Sequence, residues 1–331
     1  MKAKIQSQVG QERLALERDI PLATPLVIYI EPSGYCNLRC KFCPHGVAGN
    51  ALKKDFMSDQ LFHKLIDDLS EFPDKIKLLR ICGNGDPLMN RDLLVMLQRA
   101  HEQKVAHRIE LLTNGALLKP DLVQSLPRFL DRIVFSIEGL CSEDYQRICS
   151  TKIDFPHLLD NLDALYASRG KCVVHIKIHH EAVSTEDKEK EFLKVFGGRC
   201  DEIFIEKLVP MWPQLHTEYS SNEFRWGNAS VTSRHICAQI FKGMQVQADG
   251  EVVPCCVDWK RVNILGNMNT DSLRDIWNGS KLRELQLEHL SGNKKNLEPC
   301  KDCTMNDYCE VDNIDSHAEA CINRLKSKVL Q

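Results

Sequence analysis

The chain has 331 residues, 27% of them charged and 43% hydrophobic, with a formal net charge of −3. This balance argues against a nucleic-acid or anionic-membrane partner, and no basic tail or long like-charge run alters it. Residues 1–19 lack the apolar core of an export signal, and no apolar run approaches the ~20 residues needed to span a bilayer, so a cytoplasmic protein without a membrane partner is expected.

The length suits one large α/β domain and a smaller one. Residues 1–24 read as a polar N-terminal extension. From 25 to 208, short apolar runs alternate with amphipathic stretches. Strands are expected at 26–30, 75–81, 108–112, 132–137, 173–179 and 202–208. Helices are expected at 58–69, 91–102, 120–125, 155–168 and 185–196, the last capped by Ser184 or Thr185. Six β-then-α units imply a parallel sheet with right-handed crossovers. Eight would close a barrel and six leave it open, so the expected fold class is α/β, a partial (β/α)6 barrel of the TIM type. Active sites in such folds gather at the C-terminal ends of the strands. Residues 209–230 are rich in Pro, Trp and Asn and lack periodicity; they read as a connector, either a plain packed linker or a wall of the substrate pocket. In the second domain, 231–331, residues 245–254 read as a β-hairpin turning at Asp249-Gly250, and a short helix follows Ser272.

Fifteen cysteines without an export signal point to metal rather than to disulfides. Three lie at 36–43 and seven between 237 and 321. The scattered Cys82, Cys141, Cys149, Cys172 and Cys200 read as small buried residues. Cys36, Cys40 and Cys43 form a C-x3-C-x2-C run just after the first strand. Three thiolates this close can hold three corners of a cubane iron–sulfur cluster and leave one iron for another ligand. Zinc is the alternative, with His45 as fourth ligand.

The spacing, with Phe42 before the third cysteine, resembles the signature of the radical S-adenosylmethionine (radical SAM) superfamily. The resemblance implies that the open iron of a [4Fe–4S] cluster chelates the amino and carboxylate groups of SAM. An electron from the cluster then cleaves SAM to a 5′-deoxyadenosyl radical, and a flavodoxin- or ferredoxin-type protein supplies that electron. It also sets Phe42 against the adenine side, where its other role is packing behind the loop. Three further segments follow strands in the matching order. Asn84-Gly85-Asp86-Pro87 resembles the Gly-Gly-Glu-Pro motif that holds the SAM amino group, with Asn84 and Asp86 in place of the first Gly and the Glu. Thr113-Asn114-Gly115 and Ser136-Ile137-Glu138-Gly139 resemble Thr-Asn-Gly and Ser-Ile-Asp-Gly segments, which sets Asn114, Ser136 and Glu138 near the SAM ribose. Each segment alone is an ordinary turn; four in order carry the resemblance across residues 25–208.

In the fifth strand, His175, Lys177 and His179 share one face and Val174, Ile176 and Ile178 the other. Helices cover the outside of a parallel barrel, so the polar face points into the lumen. It suits a polar, oxygen-rich substrate, a proton-transfer role, or an internal hydrogen-bond network.

The C-terminal cysteines, with the hairpin between them, resemble the SPASM extension and its shorter twitch form, which bind auxiliary [4Fe–4S] clusters. Asn313 stands where the seventh SPASM cysteine would fall, so one auxiliary cluster is expected. Its ligands are either Cys237, Cys255, Cys300 and Cys303, as in the twitch form, or Cys300, Cys303, Cys309 and Cys321, as in the second SPASM cluster. A zinc ribbon over Cys300–Cys321 is the other possibility. Cys256 is a spare thiol, a substitute ligand, or a hydrogen-atom donor to a carbon radical. The resemblance implies a radical SAM oxidoreductase that abstracts a hydrogen atom and gives oxidation or epimerisation. About two dozen residues precede the first strand, too few for a leader-binding domain, which favours a small sugar- or aminocyclitol-like substrate. Peptide modification is the second reading, and a non-catalytic iron–sulfur or zinc protein the third.

Overall fold

The computed structural model describes residues 2–7, 15–210, 212, 230, 233–309 and 312–327. Its strands are β1 (Lys4–Ile5), β2 (Val27–Ile30), β3 (Leu78–Ile81), β4 (Ile109–Thr113), β5 (Arg132–Ile137), β6 (Val173–His179), β7 (Glu202–Glu206), β8 (Gly243–Val246), β9 (Glu251–Val253) and β10 (Gly266–Asn267). They form one sheet in the order β1-β7-β6-β5-β4-β3-β2-β8-β9-β10. The six strands β2 to β7 are parallel and adjacent in chain order, the open barrel that the alternating pattern predicts.

Side-chain caps start the crossover helices where the sequence puts them. Ser58 accepts from Leu61 N–H at the head of Asp59–Leu69, Asp154 from His157 N–H before Phe155–Ser168, and Thr185 from Lys188 N–H before Glu186–Phe196. Two helices depart from expectation. Pro120–Phe129 runs a turn further than 120–125, through Pro127, and Ser142–Cys149 follows β5 where none was expected.

The outward faces of the strands, including Ile28, Ile30, Leu79, Val174, Ile176 and Ile178, join the helices in the main hydrophobic core. The inward face carries a polar layer in which Tyr29, Arg80, Glu110 and Arg132 lie across from one another in register, followed by Leu112 and Val134 beside His175. Such alternation puts most of the buried apolar area on the helix side and most of the charged groups in the lumen.

The sheet is wider than expected. β1 adds in parallel beside β7, and β8 adds in parallel beside β2, with Tyr29 opposite Gln245. The hairpin β8–β9 therefore continues the barrel sheet, turning at Gly250, whose φ of +91° favours glycine. A second core joins Leu16 and Ile20 to Phe241, Ile314, Cys321 and Leu325. The expected connector 209–230 lies almost wholly outside the described residues. No helix among the described residues is long and apolar enough to cross a membrane.

Candidate active site

The cysteine loop leaves the C-terminal end of β2 and closes at the helical turn Pro44–Val47. Neighbouring elements fix its path by backbone contacts. Asp86 N–H donates to Tyr35 O at 2.8 Å, and Arg39 and Lys41 N–H donate to Cys149 O and Ile148 O at 3.0 and 3.1 Å. Two glycines of the β3 loop are there because nothing larger fits. A Cβ on Gly85 would sit 2.2 Å from Ser33 O, and one on Gly83 would sit 2.4 Å from Glu31 Cγ. Around the thiols, Leu38 N–H donates to Cys36 Sγ at 3.4 Å and Asn114 Nδ2 to the same sulfur at 3.9 Å. Asn114 Nδ2 also donates to Asn37 Oδ1 at 2.9 Å. The Cys40 and Cys149 thiols are hydrogen-bonded at 3.5 Å.

Burial pushes the Cys36 thiol up to about 12 and Cys43 up to about 11. Thiolates here need a cationic metal as counter-charge. The spacing decides which kind. Two sulfurs on one zinc at about 2.3 Å stand at most about 4.6 Å apart. Among the described residues, one trio of His, Cys, Asp or Glu has its ligand atoms all within 4.8 Å, namely Cys40, Glu138 and Cys149. Cys36, Cys40, Cys43 and His45 make no such group, so the loop is too open for a single zinc and fits a polynuclear cluster.

The strand-end segments converge on this loop. Both Asp86 oxygens are engaged: Thr113 Oγ1 donates to each at 3.0 and 2.9 Å, Leu88 N–H to one at 2.9 Å and Asn114 N–H to the other at 2.8 Å. The shorter carboxylate thus staples the β3 loop to the β4 loop. Asn84 N–H donates to Glu31 Oε2 at 2.6 Å. Glu138 Oε2 lies 3.3 Å from His179 Nε2, and Glu181 Oε2 3.3 Å from His179 Nδ1. Burial alone would lower the His179 pKa, but the two carboxylates outweigh it and push it up to about 9. The Phe42 ring meets the His179 ring edge-on at 4.9 Å. Ser136 is in register with Lys177, whose Nζ donates to Glu206 at 2.7 Å. Deeper in the lumen, fully buried His175 is held by Arg132 at 2.8 Å and Glu202 at 3.1 Å.

In the C-terminal region, Cys237, Cys255, Cys300 and Cys303 line one cavity of about 40 Å³. Cys309 is not in that lining; it clusters with Val257 and Met305, and Cys255, Cys256 and Cys303 pack against the same cluster. Cys321 sits in the second core beside Glu17 O at 3.7 Å. The structure therefore brings together the first of the two ligand sets and separates Cys321 from the rest of the second. No trio of the four cavity thiols lies within 4.8 Å, which again is too open for a single zinc and fits a cluster. His289 lines the same cavity; burial, then Lys294, lowers its pKa to about 4. Cys256 is hydrogen-bonded to Cys255 yet acts on the lumen. Burial, then the Cys256 sulfur, holds the Tyr29 phenol well above its ordinary value. Burial pushes Cys82 up to about 12, with Arg80 opposing and Cys256 adding.

Sequence spacing gives no sign of a charge network that ties the two regions. Arg261, at a φ of +55°, reaches Glu31 Oε1 at 3.4 Å, Asp249 at 2.8 Å and Glu251 at 3.2 Å. Cys149 and His289 are likewise lone residues on amphipathic helices, which read as core until the fold is known.

Comparison with known proteins agrees with this geometry. The description "Radical SAM superfamily" matches residues 30–188, and "Iron-sulfur cluster-binding domain", the SPASM domain, matches 237–304. A Pyrococcus furiosus protein named tungsten-containing aldehyde ferredoxin oxidoreductase cofactor-modifying protein is 23% identical over 335 residues, 86% of this chain and 88% of its own length. GTP 3′,8-cyclase of Aquifex aeolicus is 29% identical over 142 residues, 42% of this chain and 43% of its own length. Among solved structures, BtrN in complex with AdoMet and 2-DOIA aligns with a TM-score of 0.57 and 19% identity over 88% of this chain and 97% of that one. Native anSMEcpe with bound AdoMet aligns with a TM-score of 0.59 and 17% identity over 92% of this chain and 98% of that one. At these identities the solved structures speak for the fold, and the family matches for the chemistry. The chain belongs to the radical SAM superfamily, whose members use SAM with a [4Fe–4S] cluster, and it carries a C-terminal SPASM domain for auxiliary iron–sulfur binding.

Proposed function

We propose that this protein is an oxidoreductase that removes a hydrogen atom from a small, oxygen-rich, sugar- or aminocyclitol-like molecule. In this reading, residues 25–208 are the catalytic barrel, after an extension at 1–24. Residues 209–230 are the connector and 231–331 the auxiliary cluster domain. Cys36, Cys40 and Cys43 hold one cluster, and Cys237, Cys255, Cys300 and Cys303 hold the single auxiliary one. Bound there, the cluster and SAM supply the 5′-deoxyadenosyl radical. Phe42, Asn84, Gly85, Asn114, Ser136 and Glu138 surround SAM, with Asp86 fixing the loops that carry them. Lys177 and His179, at the lumen mouth, bind substrate hydroxyls, while buried His175 belongs to the network of Arg132 and Glu202 beneath them.

The carrying observation is Cys256. Its neighbour Cys255 lines the auxiliary cavity, while its own sulfur acts on Tyr29 and Cys82 in the lumen. A thiol so held can return a hydrogen atom to the substrate radical from the far face. The C–H bond forms, the S–H bond breaks, and the product is the epimer. The thiyl left on Cys256 then needs one electron and one proton, the electron coming from a flavodoxin- or ferredoxin-type reductant. The short path through Cys255 favours a second outcome, oxidation, in which the radical gives up an electron and a proton and leaves a carbonyl.

Solved structures under 25% identical do not choose the substrate: BtrN is complexed with 2-DOIA, and SuiB of Streptococcus suis with a precursor peptide. The ion-paired lumen favours the small polar class. The test is substrate-dependent 5′-deoxyadenosine formation with a panel of amino sugars and aminocyclitols, run in D₂O. Epimerisation adds one deuterium to the product and is lost in Cys256→Ser. Oxidation gives a product two hydrogens lighter, with no deuterium on the carbon. Turnover with peptides alone would sink the small-substrate reading, and full epimer formation by Cys256→Ser would remove the donor role.

A further inference from the structure

His289 closes the last turn of the helix Ser280–Leu290, with its side chain at 0% exposure and neither ring nitrogen partnered among the described residues. It lines the cavity of Cys237, Cys255, Cys300 and Cys303. The other polar side chains of that lining are engaged elsewhere, Asn306 Oδ1 excepted. Lys294 Nζ donates to Cys303 O at 2.7 Å. Asp258 accepts from Val262 and Asn263 N–H at 3.0 and 2.8 Å. Asn263 Nδ2 donates to Glu298 O at 2.9 Å, and Asn306 Nδ2 to Arg234 O. A buried N–H left without an acceptor costs about 1–3 kcal/mol, so such groups in native proteins have a partner. Around His289 the remaining acceptors are the cavity's sulfurs, whatever they hold, and Asn306 Oδ1.

We infer that the His289 ring N–H donates a hydrogen bond to a sulfur of the auxiliary cluster and raises that cluster's reduction potential. The inference rests on assigning the cluster to these four cysteines. Hydrogen bonds to sulfur stabilise the extra negative charge of the reduced cluster and are among the levers that set its potential. In function, His289 is then a positioning residue that sets how readily the auxiliary centre takes an electron. The rival arrangement is a water between the ring and Asn306 Oδ1, which also lacks a partner and lines the cavity.

The test uses the full chain with Cys36, Cys40 and Cys43 all changed to Ala, so that only the auxiliary centre can assemble. About four irons per chain after anaerobic reconstitution establish that centre, and no iron overturns the four-cysteine assignment itself. In that background, potentials are read by EPR-monitored redox titration. His289→Leu should keep its iron and shift the potential negative by about 59 mV, a tenfold change in the one-electron equilibrium constant. His289→Gln, which keeps an N–H donor, should recover part of the shift. An unmoved potential in His289→Leu overturns the hydrogen bond and favours the water. Loss of iron in both variants overturns it in favour of direct ligation.

Discussion

Glu110, 1% exposed in β4, carries the lumen's most exacting charge balance. It accepts from Arg80 Nη2 at 2.6 Å and pairs with Arg108 at 2.9 Å. Burial would raise its carboxyl, but Arg80 and Arg108 outweigh burial and hold it below its ordinary value of 4.5. Because the folded-state pKa is depressed, this stabilisation is fully present above about pH 4.5 and is lost as the pH falls through the folded value. Urea unfolding at neutral pH should find Glu110→Ala destabilised by about 3–5 kcal/mol, since it strands the buried Arg80 guanidinium. Glu110→Gln should flatten the acid limb of the stability curve; an unchanged limb would contradict the pairing. At this scale the thiols were legible because three closely spaced cysteines suit a metal centre and little else. His289 was not, because a lone histidine on an amphipathic helix looks the same whether it packs in a core or faces a cofactor.

Among elements, the β3 loop gives a physical reason for a glycine-rich segment that looks like a plain turn in the sequence. Gly85 approaches Ser33 O and Tyr35 O so closely that a Cβ would stand 2.2 and 2.4 Å from them. Gly85→Ala must push the loop off the cysteine run. We expect a loss of about 1–3 kcal/mol by thermal unfolding, the usual cost of overpacking, together with weaker SAM binding by calorimetry. Wild-type affinity in this variant would mean that the loop does not shape the SAM site. The six barrel strands and most crossover helices were readable from period and caps. β1 was not, because two residues have no period. β8 was read as half of a local hairpin, and its pairing with β2 depends on a strand more than two hundred residues away, which no local pattern encodes.

For the whole molecule, β8 and the Arg261 network bind the auxiliary region to the barrel as continuous structure. Glu31 links Asn84 of the β3 loop to Arg261 of the C-terminal region, and burial pushes its carboxyl up to about 7. In the proposed reading the chain holds two metal centres, one on the cysteine loop after β2 and one in the cavity that Cys255 lines, with Cys256 next to it in the chain. That arrangement separates this protein from a zinc-stapled scaffold, and the thiol spacings at both centres already disfavour single zinc ions. The most direct measurement is the iron, sulfide and zinc content of the full chain after anaerobic reconstitution. Two cubanes predict about eight irons and eight sulfides per chain, falling to about four when Cys36, Cys40 and Cys43 are removed. Zinc with little iron, or about twelve irons, would contradict one SAM-binding cluster paired with one auxiliary cluster.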